Sequence, residues 1–354
     1  MTVTDLLASW DGEEVLTRHD PSSRATIHVC VHSTVLGPAA GGTRMRVYAA
    51  ADDALLDGLR LARAMTYKNA TAGLPLGGGK AVIAVPRIPA GEDRIHLLRH
   101  YGEIVAELGG RYRTACDMNT TSEDMDVVAQ TCPYVFGRTL AAGGSGTSAP
   151  ATAVGVDHAI RAALRSVFGS GDPGGRTVAI QGVGAVGALL AGQMADAGAA
   201  VLVADVDRAR AEAVAEATGA RAVDPSAILA AHCDVLAPCA TGGVLDAEAI
   251  EHLRCRIVAG AANNQLEHDA DGERFLDRGI VYVPDFVANA GGIIHLASLE
   301  LLRETEVELD ARLAAIGDTT TAILEEAASS GRSTSRVALD LAERRIAAAR
   351  SARG

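Results

Sequence analysis

The chain has 354 residues, of which 48% are apolar, so it is long enough to bury the cores of about two domains. Its formal net charge of −12 and the lack of basic runs with interleaved aromatic residues exclude a nucleic-acid surface and favour small-molecule partners. Neither an export signal nor a membrane span is predicted, because residues 1–14 are acidic and the most apolar stretch, 178–204, is interrupted by Gln and Asp. The six cysteines form no CxxC pair, which predicts neither a metal site nor a disulfide framework and favours a reducing cytoplasm.

The first predicted elements carry the only two lysines of the chain, Lys68 and Lys80. In residues 24–48, β-branched residues alternate with others as in strands. Residues 52–68 show the apolar spacing of a helix that ends at Lys68. Lys80 is predicted to open a strand after the glycine-rich loop GLPLGGG, so that a short connection folds the two ammonium groups together. Every other basic residue is Arg, which keeps its proton, so the two lysines are candidates for acid–base chemistry. Chance survival of two lysines in an Arg-rich chain is the alternative.

The next candidate is Asp117, at the end of a predicted strand. A helix is predicted over 94–108, followed by the strand RYRTACD and by MNTTSEDMD, in which Ser122 is placed to cap a further helix. Carboxylates at strand ends commonly face a cleft, so Asp117 is a candidate acid or base. A turn or capping carboxylate is the alternative.

The clearest local motif opens the second half of the chain. RTVAIQ (176–181) is a compact apolar strand, and it is followed by GVGAVG (182–187), a GxGxxG sequence, and by a helical pattern. In this arrangement the glycines let a pyrophosphate approach the backbone at the start of the helix, although a turn without ligand is the alternative. Asp205 ends the next strand, 23 residues after the first glycine. Its carboxylate favours NAD over NADP, a preference that Arg208 nearby weakens.

Further parallel strands are predicted at about 233–237, 256–260 and 279–283, and their C-terminal ends would line a cofactor crevice. Asn263 and Asn289 lie at two of these ends. Their amides can hydrogen-bond substrate or cofactor groups and stay neutral throughout turnover. Loop-stabilising Asx turns are the alternative for both.

These elements predict an α/β fold with two domains and a cleft between them. An α/β catalytic and substrate domain spans 1–148 and about 330–354, since a small-residue hinge at 143–155 ends it and the last Arg-rich helix is expected to return to it or to a neighbouring subunit. A Rossmann-type NAD-binding domain spans 149–329, in which a long helix is expected over about 289–304. Two lysines and an aspartate opposite NAD predict a hydride-transfer enzyme with an anionic substrate. One lysine would bind a carboxylate, the other would polarise a carbonyl or orient a water, and the aspartate would shuttle protons.

Seven segments together resemble one enzyme family. They are GPAAGGTR (37–44), AMTYKNATAGLPLGGGKAVI (64–83), TACDMNT (114–120), GVGAVG (182–187), APCATGG (237–243), AGAANNQL (259–266) and DFVANAGGII (285–294). In this order and over nearly its whole length, the chain resembles the glutamate/leucine/phenylalanine/valine dehydrogenase family. The resemblance implies NAD-linked oxidative deamination of an L-amino acid to a 2-oxo acid and ammonia, or the reverse. It also implies a homo-oligomer, with oligomerisation assigned to the first domain.

The resemblance implies roles for individual residues. Lys80 looks like the catalytic lysine that activates water, Asp117 like the group that exchanges protons with the amino group, and Lys68 like the lysine that binds the α-carboxylate. Further substrate contacts are implied for Gly42, Met65, Ala115, Asn263, Ile293 and Leu296. Cofactor contacts are implied for Thr152, Gly182, Val183, Gly184, Ala185, Val186, Gly187, Asp205, Cys239, Ala240, Ala261, Asn263 and Asn289.

The substrate side chain stays open among apolar candidates. Glutamate-specific members typically carry Lys where this chain has Ala40, so an apolar amino acid is favoured. Ala115 and Ile293 favour a branched aliphatic side chain, whereas Leu296 and the segments MNT and NAGGIIHL are similar to phenylalanine-type members. Leucine, valine and phenylalanine are therefore all candidates. The alternative functions are a 2-hydroxy-acid dehydrogenase, which would need no ammonia, and a non-catalytic NAD-binding sensor.

Overall fold

The structure is a computed structural model and describes residues 7, 10–268 and 270–353. Residues 1–6, on which the absence of an export signal partly rests, lie outside these. In the part of the chain that is described, no helix is long and apolar enough to cross a membrane.

The chain forms two compact units, each described here by itself. The first unit comprises Met1–Thr147, Leu299–Arg303 and Ala342–Gly354, and the second comprises Ser148–Ser298 and Glu304–Leu341. The first unit therefore resumes at 342, whereas the sequence placed its return at about 330, and it takes in the short segment 299–303. The assignment of substrate and cofactor roles to the two units stays a prediction.

The first unit is built on a mixed sheet with helices packed against it. Its strands are β1 (Glu14–Asp20), β2 (Ala25–Ser33), β3 (Ala39–Arg46), β4 (Gly77–Ala84) and β5 (Tyr112–Cys116), and its helices include α1 (Ala51–Thr71), α2 (Gly91–Glu107) and α3 (Ser122–Val128). Among the described residues these five strands pair in the order β1-β2-β4-β3-β5. The pairs β1-β2 and β2-β4 are antiparallel, and the pairs β4-β3 and β3-β5 are parallel. Ile27, Ile83 and Leu98 are buried in its core. Burial of each of these side chains stabilises the fold by about 1.5–3 kcal/mol.

Helix α1 lies directly on β4 because β4 begins with three glycines. A Cβ on Gly78 would lie 2.1 Å from the amide nitrogen of Thr66 in α1, and one on Gly77 would lie 1.9 Å from the carbonyl oxygen of Ser33. The prediction that this segment is a loop and that Lys80 opens the strand is wrong. The missing side chains let the segment pair with β2 and β3 while α1 packs above it, so Lys80 is the fourth residue of β4.

Thr121, rather than the predicted Ser122, caps helix α3. Its Oγ1 accepts a hydrogen bond from the amide of Asp124 at 3.3 Å, and Asp124 Oδ2 accepts one from the amide of Thr121 at 2.8 Å. This reciprocal pair is a capping box, which needs a hydroxyl residue and an acceptor residue three positions apart. Thr121 and Asp124 have that spacing, and Ser122 becomes the first residue of the helix.

The second unit is built on a parallel sheet. Its strands are β6 (Thr177–Gln181), β7 (Ala200–Ala204), β8 (Arg221–Ala222), β9 (Val235–Pro238), β10 (Ile257–Val258) and β11 (Val281–Tyr282). The helices among them are α4 (Ala149–Phe168), α5 (Ala185–Asp196), α6 (Arg208–Thr218), α7 (Ala247–His252) and α8 (Asp271–Asp277). In the described residues the order is β11-β10-β9-β6-β7-β8, with every pair parallel. This is the doubly wound order of dinucleotide-binding folds, with its switch point between β6 and β9. The predicted α/β class is confirmed.

The C-terminal part is helical, but its first predicted long helix is broken. The helices are α9 (Asp285–Ala288), α10 (Gly291–Leu296), α11 (Glu306–Ser330) and α12 (Thr334–Arg353), with a π-helical segment at Ala297–Leu302. The continuous helix expected over 289–304 therefore changes its hydrogen-bond pattern after Leu296. Within the π-helical segment, Glu300 Oε1 accepts hydrogen bonds from the amides of Gly137 at 2.9 Å and Ser145 at 3.0 Å. These bonds lie within the first unit, to which residues 299–303 belong, and the apolar periodicity of the sequence does not indicate them.

Candidate active site

Lys80 lies inside the first sheet with its side chain on the face that α1 covers. It pairs in register with Cys30 of β2, and the Cys30 Sγ lies 2.9 Å from where a Cβ of Gly58 in α1 would be. The side chain is only 6% exposed, and its Nζ lies 3.1 Å from Asp117 Oδ2. Burial lowers the pKa of Lys80 below its ordinary value because the ammonium loses hydration, although the Asp117 carboxylate counteracts this. Lys80 can therefore give up its proton more readily than a surface lysine.

Asp117 directly follows β5, and its backbone is fixed by Thr120. The amide of Asp117 donates to Thr120 Oγ1 at 2.9 Å, and that hydroxyl donates to the carbonyl oxygen of Thr43 at 2.8 Å. Burial alone would raise the pKa of the carboxyl group, but the positive charges of Lys80 and Arg44 outweigh it and hold the pKa well below its usual range. Asp117 therefore stays ionised beside a lysine that readily loses its proton.

Lys68 is half-buried in the last turn of α1. The adjacent Asn69 is fully buried, and its Nδ2 donates to the carbonyl oxygen of Gly77 in β4 at 2.5 Å. Arg345 of α12 donates through Nη1 to two carbonyl oxygens at the end of α1, at 2.8 and 2.5 Å. Such bonds satisfy acceptors that have no partner inside the helix, so they fix the backbone that carries Lys68.

The predicted pocket residues of the first unit lie around Asp117 and α1. A Cβ on Gly42 would lie 2.8 Å from the Cβ of Asp117, so a side chain at position 42 would displace the catalytic candidate. Ala115 of β5 pairs with Gly42 in register and is 4% exposed. Met65 of α1 places its Cγ 3.3 Å from where a Cβ of Gly41 would be. The structure thus brings Gly42, Met65 and Ala115 into one region with Asp117.

Sequence reasoning missed the groups behind Asp117. Arg44 of β3 donates through Nε to Asp117 Oδ2 at 2.9 Å and through Nη1 to Asp57 Oδ2 at 3.0 Å. The hydroxyl of Tyr48 donates to Asp57 Oδ2 at 2.6 Å. Arg44 belongs to the segment GPAAGGTR, and Asp57 lies eleven residues before Lys68, or about three turns along the same face of α1. Both residues lie in segments that the sequence analysis singled out, but nothing in the sequence indicates that they pair.

The glycine motif of the second unit fits a dinucleotide, as judged by the space around its glycines. Gly182 follows β6 with φ of 89°, a conformation that L residues rarely adopt, and its Cβ would lie 2.6 Å from that of Ala240. A Cβ on Gly187 would lie 1.9 Å from the carbonyl oxygen of Gly182, so helix and turn pack in close contact. Apart from Gly184 itself and its chain neighbours, no described heavy atom lies within 4 Å of a Cβ built on Gly184, the N-cap of α5, which leaves open space where a pyrophosphate binds.

Asp205 lies directly after β7, beside the glycine motif. Its Oδ2 accepts a hydrogen bond from the amide of Val183 at 2.9 Å, and its Oδ1 accepts one from the amide of Asp207 at 2.9 Å. Burial raises the pKa of the carboxyl group, but these amides and Arg210 outweigh it and lower the pKa from its ordinary value. The group is therefore a carboxylate at the position where such folds bind the ribose hydroxyls.

The two predicted asparagines are hydrogen-bonded to each other. Asn289 Nδ2 donates to Asn263 Oδ1 at 2.9 Å and to the carbonyl oxygen of Ala261 at 3.1 Å. Asn289 is 5% exposed, and its Oδ1 accepts no hydrogen bond within the described residues. A buried amide oxygen in that state costs about 1–3 kcal/mol, which a donor from a bound ligand offsets. This acceptor fits a bound cofactor or substrate at the ends of β10 and β11.

The other predicted residues of the second unit lie near the same strand ends, at the glycine turn, or on α4 and α10. Cys239 and Ala240 follow β9, and the Cβ of Cys239 lies 3.3 Å from where a Cβ of Gly187 would be. Thr152 of α4 places its Oγ1 2.8 Å from where a Cβ of Gly292 in α10 would be. Ile293 and Leu296 of α10 are 8% and 7% exposed. Val183, Ala185 and Val186 lie within or beside the glycine turn. In the described residues, no three His, Cys, Asp or Glu side chains are grouped to hold a metal.

Comparisons with known proteins agree over the length of the chain. Residues 17–134 match the model of the "Glu/Leu/Phe/Val dehydrogenase, dimerisation domain", and residues 202–354 match that of the "Glutamate/Leucine/Phenylalanine/Valine dehydrogenase". A leucine dehydrogenase of Thermoactinomyces intermedius is 40% identical over 100% of this chain and 96% of its own. A valine dehydrogenase of Streptomyces albus is 43% identical over 96% of this chain and 94% of its own. The crystal structure of L-tryptophan dehydrogenase from Nostoc punctiforme is 38% identical, with a TM-score of 0.82 over 98% of this chain and 99% of that one.

The doubly wound second unit with its dinucleotide turn and the first unit with its buried lysine–aspartate pair define a dehydrogenase, an oxidoreductase that acts on small molecules. The chain belongs to the glutamate/leucine/phenylalanine/valine dehydrogenase family. It is an amino-acid dehydrogenase, which acts on CH–NH₂ groups. The family and the enzyme class predicted from the sequence are confirmed.

Proposed function

We propose that the protein catalyses the reversible NAD-dependent oxidative deamination of an apolar L-amino acid to its 2-oxo acid and ammonia. The observation that carries this proposal is the buried pair of Lys80 and Asp117, whose nitrogen and oxygen lie 3.1 Å apart. A lysine with a lowered pKa provides a base, and the carboxylate beside it rests ionised, so it can take up a proton and pass it on. Addition of water to an imine and departure of ammonia need both.

The residues of the first unit divide the chemistry among them. The ammonium group of Lys68 binds the substrate α-carboxylate. Neutral Lys80 takes a proton from water as it adds to the imine carbon, and its charged form then stabilises the carbinolamine. Asp117 takes the proton of the carbinolamine hydroxyl and passes it to the amino group, which leaves as ammonia while the carbonyl forms. Bound at the turn 182–187, with Asp205 on the ribose and Asn289 nearby, NAD would supply the acceptor for the hydride that leaves the substrate Cα.

The substrate is an apolar amino acid, and we favour a branched aliphatic side chain. Ala40 is fully buried and offers no positive charge to a side-chain carboxylate. Ala115 and Ile293 are consistent with a narrow pocket, and the relatives reported above include leucine and valine dehydrogenases. One methylene in such a pocket is worth only about 1–3 kcal/mol, so phenylalanine and other apolar amino acids stay competitors.

A panel of oxo acids tests the proposed function. Purified protein should oxidise NADH with 4-methyl-2-oxopentanoate or 3-methyl-2-oxobutanoate only when ammonia is present, and phenylpyruvate and 2-oxoglutarate serve as the aromatic and charged comparisons. NADH oxidation that persists without ammonia would indicate a 2-hydroxy-acid dehydrogenase instead. NAD binding without turnover of any oxo acid would indicate a sensor and would sink the proposal.

Asp205 is expected to set the preference for NAD over NADP. Asp205→Asn keeps the shape of the side chain and one acceptor oxygen, but it removes the charge that repels a 2′-phosphate. The variant should raise the ratio of kcat/KM for NADP to that for NAD about 10-fold, the equivalent of roughly 1.4 kcal/mol. Asp207→Asn, the same change at an exposed helix cap two residues on, is the matched control and should leave the ratio unchanged. Equal ratios in the two variants would contradict the role of Asp205.

We also propose a homo-oligomer in the cytoplasm. The family model that matches residues 17–134 describes a dimerisation domain, and light scattering of the purified protein measures the subunit number. All six cysteines are free thiols, which is the usual state in a reducing compartment. No nucleic-acid or membrane partner is proposed, in keeping with the net charge of −12.

A further inference from the structure

Arg44 joins two carboxylates from different elements. Its Nε donates to Asp117 Oδ2 at 2.9 Å, and its Nη1 donates to both oxygens of Asp57, at 3.2 and 3.0 Å. The Arg44 side chain is 12% exposed, and those of Asp57 and Asp117 are 20% and 18% exposed. These are half-buried, charge-assisted bonds, which are stronger than ion pairs on an open surface.

Asp57 is itself held in place. It lies on α1, and its Oδ2 also accepts the hydroxyl hydrogen of Tyr48 at 2.6 Å. Burial, together with the hydrogen bond to Asp57, raises the pKa of Tyr48 well above its usual range, so the phenol stays a donor. Arg44 is thus anchored on one side by a helix-borne carboxylate and reaches Asp117 with its other side.

The same oxygen of Asp117 accepts from both Arg44 and Lys80. Nε of Arg44 lies 2.9 Å and Nζ of Lys80 lies 3.1 Å from Asp117 Oδ2. When Lys80 is protonated, two cations and the two carboxylates of Asp57 and Asp117 balance in charge. A planar guanidinium holds its donor nitrogens at a fixed angle and so fixes the two carboxylates relative to each other, whereas the single, rotatable ammonium of a lysine at position 44 would not.

We propose that Arg44, anchored by Asp57, is a positioning residue that holds the Asp117 carboxylate against Lys80 for proton transfer. This inference rests on the proposed function, since it assigns a role in that reaction to residues that touch neither substrate nor cofactor. The rival explanation is a purely structural tie between β3 and α1. The two explanations differ in what happens to the proton on Lys80.

The groups that surround Lys80 come from every element packed against its strand. They are Cys30 from β2, Arg44 from β3, Asp57 from α1, and Cys116 and Asp117 from the end of β5. Burial raises the pKa of the Cys30 thiol to about 12 and also raises that of Cys116, so both stay neutral. Burial is the main cause of the lowered pKa of Lys80, and of the remaining charges Arg44 lowers it further while Asp57 raises it.

Two variants should therefore shift the pKa of Lys80 in opposite directions. Arg44→Gln removes a like charge, so the pKa of Lys80 rises; Asp57→Asn removes an opposite charge, so it falls. In the deamination direction Lys80 must be neutral, and the acidic limb of the kcat/KM profile should move to higher pH in Arg44→Gln and to lower pH in Asp57→Asn. Both should lose about 10²-fold in kcat, with a smaller change in KM, because proton transfer is misaligned.

The charge of Arg44 can be separated from its geometry. Arg44→Lys keeps the charge but loses the fixed spacing of the two donor nitrogens, so its pH profile should stay near that of the wild type while its kcat falls. Arg312→Gln is the matched control, since it removes an arginine that bonds Glu304 at 2.6 to 2.9 Å in the other unit. It should change neither kcat nor the pH profile. Far-UV circular dichroism and thermal melting identify variants that fail to fold, and Asp57→Asn, which does not touch Asp117, then carries the test.

A second readout does not depend on turnover. Because the chain has two lysines, protein labelled with [ε-¹³C]lysine gives two NMR signals, and the signal that survives in Lys68→Arg belongs to Lys80. The midpoint of its titration should move to higher pH in Arg44→Gln and to lower pH in Asp57→Asn. Movement in the same direction in both folded variants, or wild-type kcat in both, would overturn the positioning role. Failure of the wild type on every oxo acid would overturn the proposed function instead, and the NMR titration would still decide whether Arg44 and Asp57 govern Lys80.

Discussion

Lys80→Arg is expected to remove almost all turnover while the protein stays folded. The side chain is 6% exposed and lies 3.1 Å from Asp117, so a guanidinium would keep the charge and the ion pair but could never release its proton. Loss of a positioned acid–base group costs about 10²–10⁴-fold in rate, and we expect a loss within that range because the proton cannot be released. The measurement is kcat for ammonia-dependent NADH oxidation with the best oxo acid of the panel.

Lys68→Arg is the matched control, because it makes the same substitution at the only other lysine of the chain. A guanidinium also binds a carboxylate, so this variant should change KM for the oxo acid more than kcat. NAD binding, measured by NADH fluorescence, should survive in both variants. Wild-type kcat in Lys80→Arg would show that the proton of Lys80 takes no part in the reaction.

Local patterns predicted the elements that carry the site. Helix α1 was predicted from its apolar spacing, and the succession β6, α5 and β7 from its glycines and strand lengths. All of these signals extend over only a few residues. The strands that precede Asp117 and Asp205 were likewise predicted in order. What these patterns determine is which residues sit at the end of an element, and parallel strands then bring such ends to one edge of the sheet.

The prediction was wrong at the glycines before Lys80, for a physical reason. Glycine weakens strands in isolation, so GLPLGGG is typical of a loop. In the structure the helix backbone at Thr66 comes so close to Gly78 that any side chain would collide with it. Only tertiary packing explains the glycines, and a single sequence shows nothing of the approach of α1 to β4.

The network behind Asp117 could not be predicted from local patterns. Arg44 is separated in the sequence by 13 residues from Asp57 and by 73 residues from Asp117, and no periodic pattern indicates either contact. The sequence showed an arginine at the end of a glycine segment and an aspartate on the lysine face of α1. Only the pairing order β4-β3-β5 with α1 above it shows that one guanidinium reaches both carboxylates.

Asp117→Asn is expected to lose about 10³-fold in kcat, within the range for a positioned acid–base group. The amide has nearly the same volume but neither a negative charge nor a proton to exchange. Lys80 would lose its ion-pair partner while Arg44 would keep Asp57, and the pKa of Lys80, which burial lowers and the Asp117 carboxylate raises, would fall further. Lys80 would become neutral at lower pH, so the lost rate cannot be recovered by raising the pH.

Stability separates this catalytic effect from a structural one. Breaking a buried ion pair costs about 3–5 kcal/mol, so urea unfolding of Asp117→Asn should show a lower free energy of unfolding. Asp124→Asn is the matched control, because Asp124 is 7% exposed and bonds Arg94 at 2.7 and 2.5 Å in the same unit. It should lose stability but keep kcat in the folded fraction. If both variants lost kcat only in proportion to their unfolded fraction, Asp117 would be a structural carboxylate; loss of turnover in fully folded Asp117→Asn alone assigns it to proton transfer.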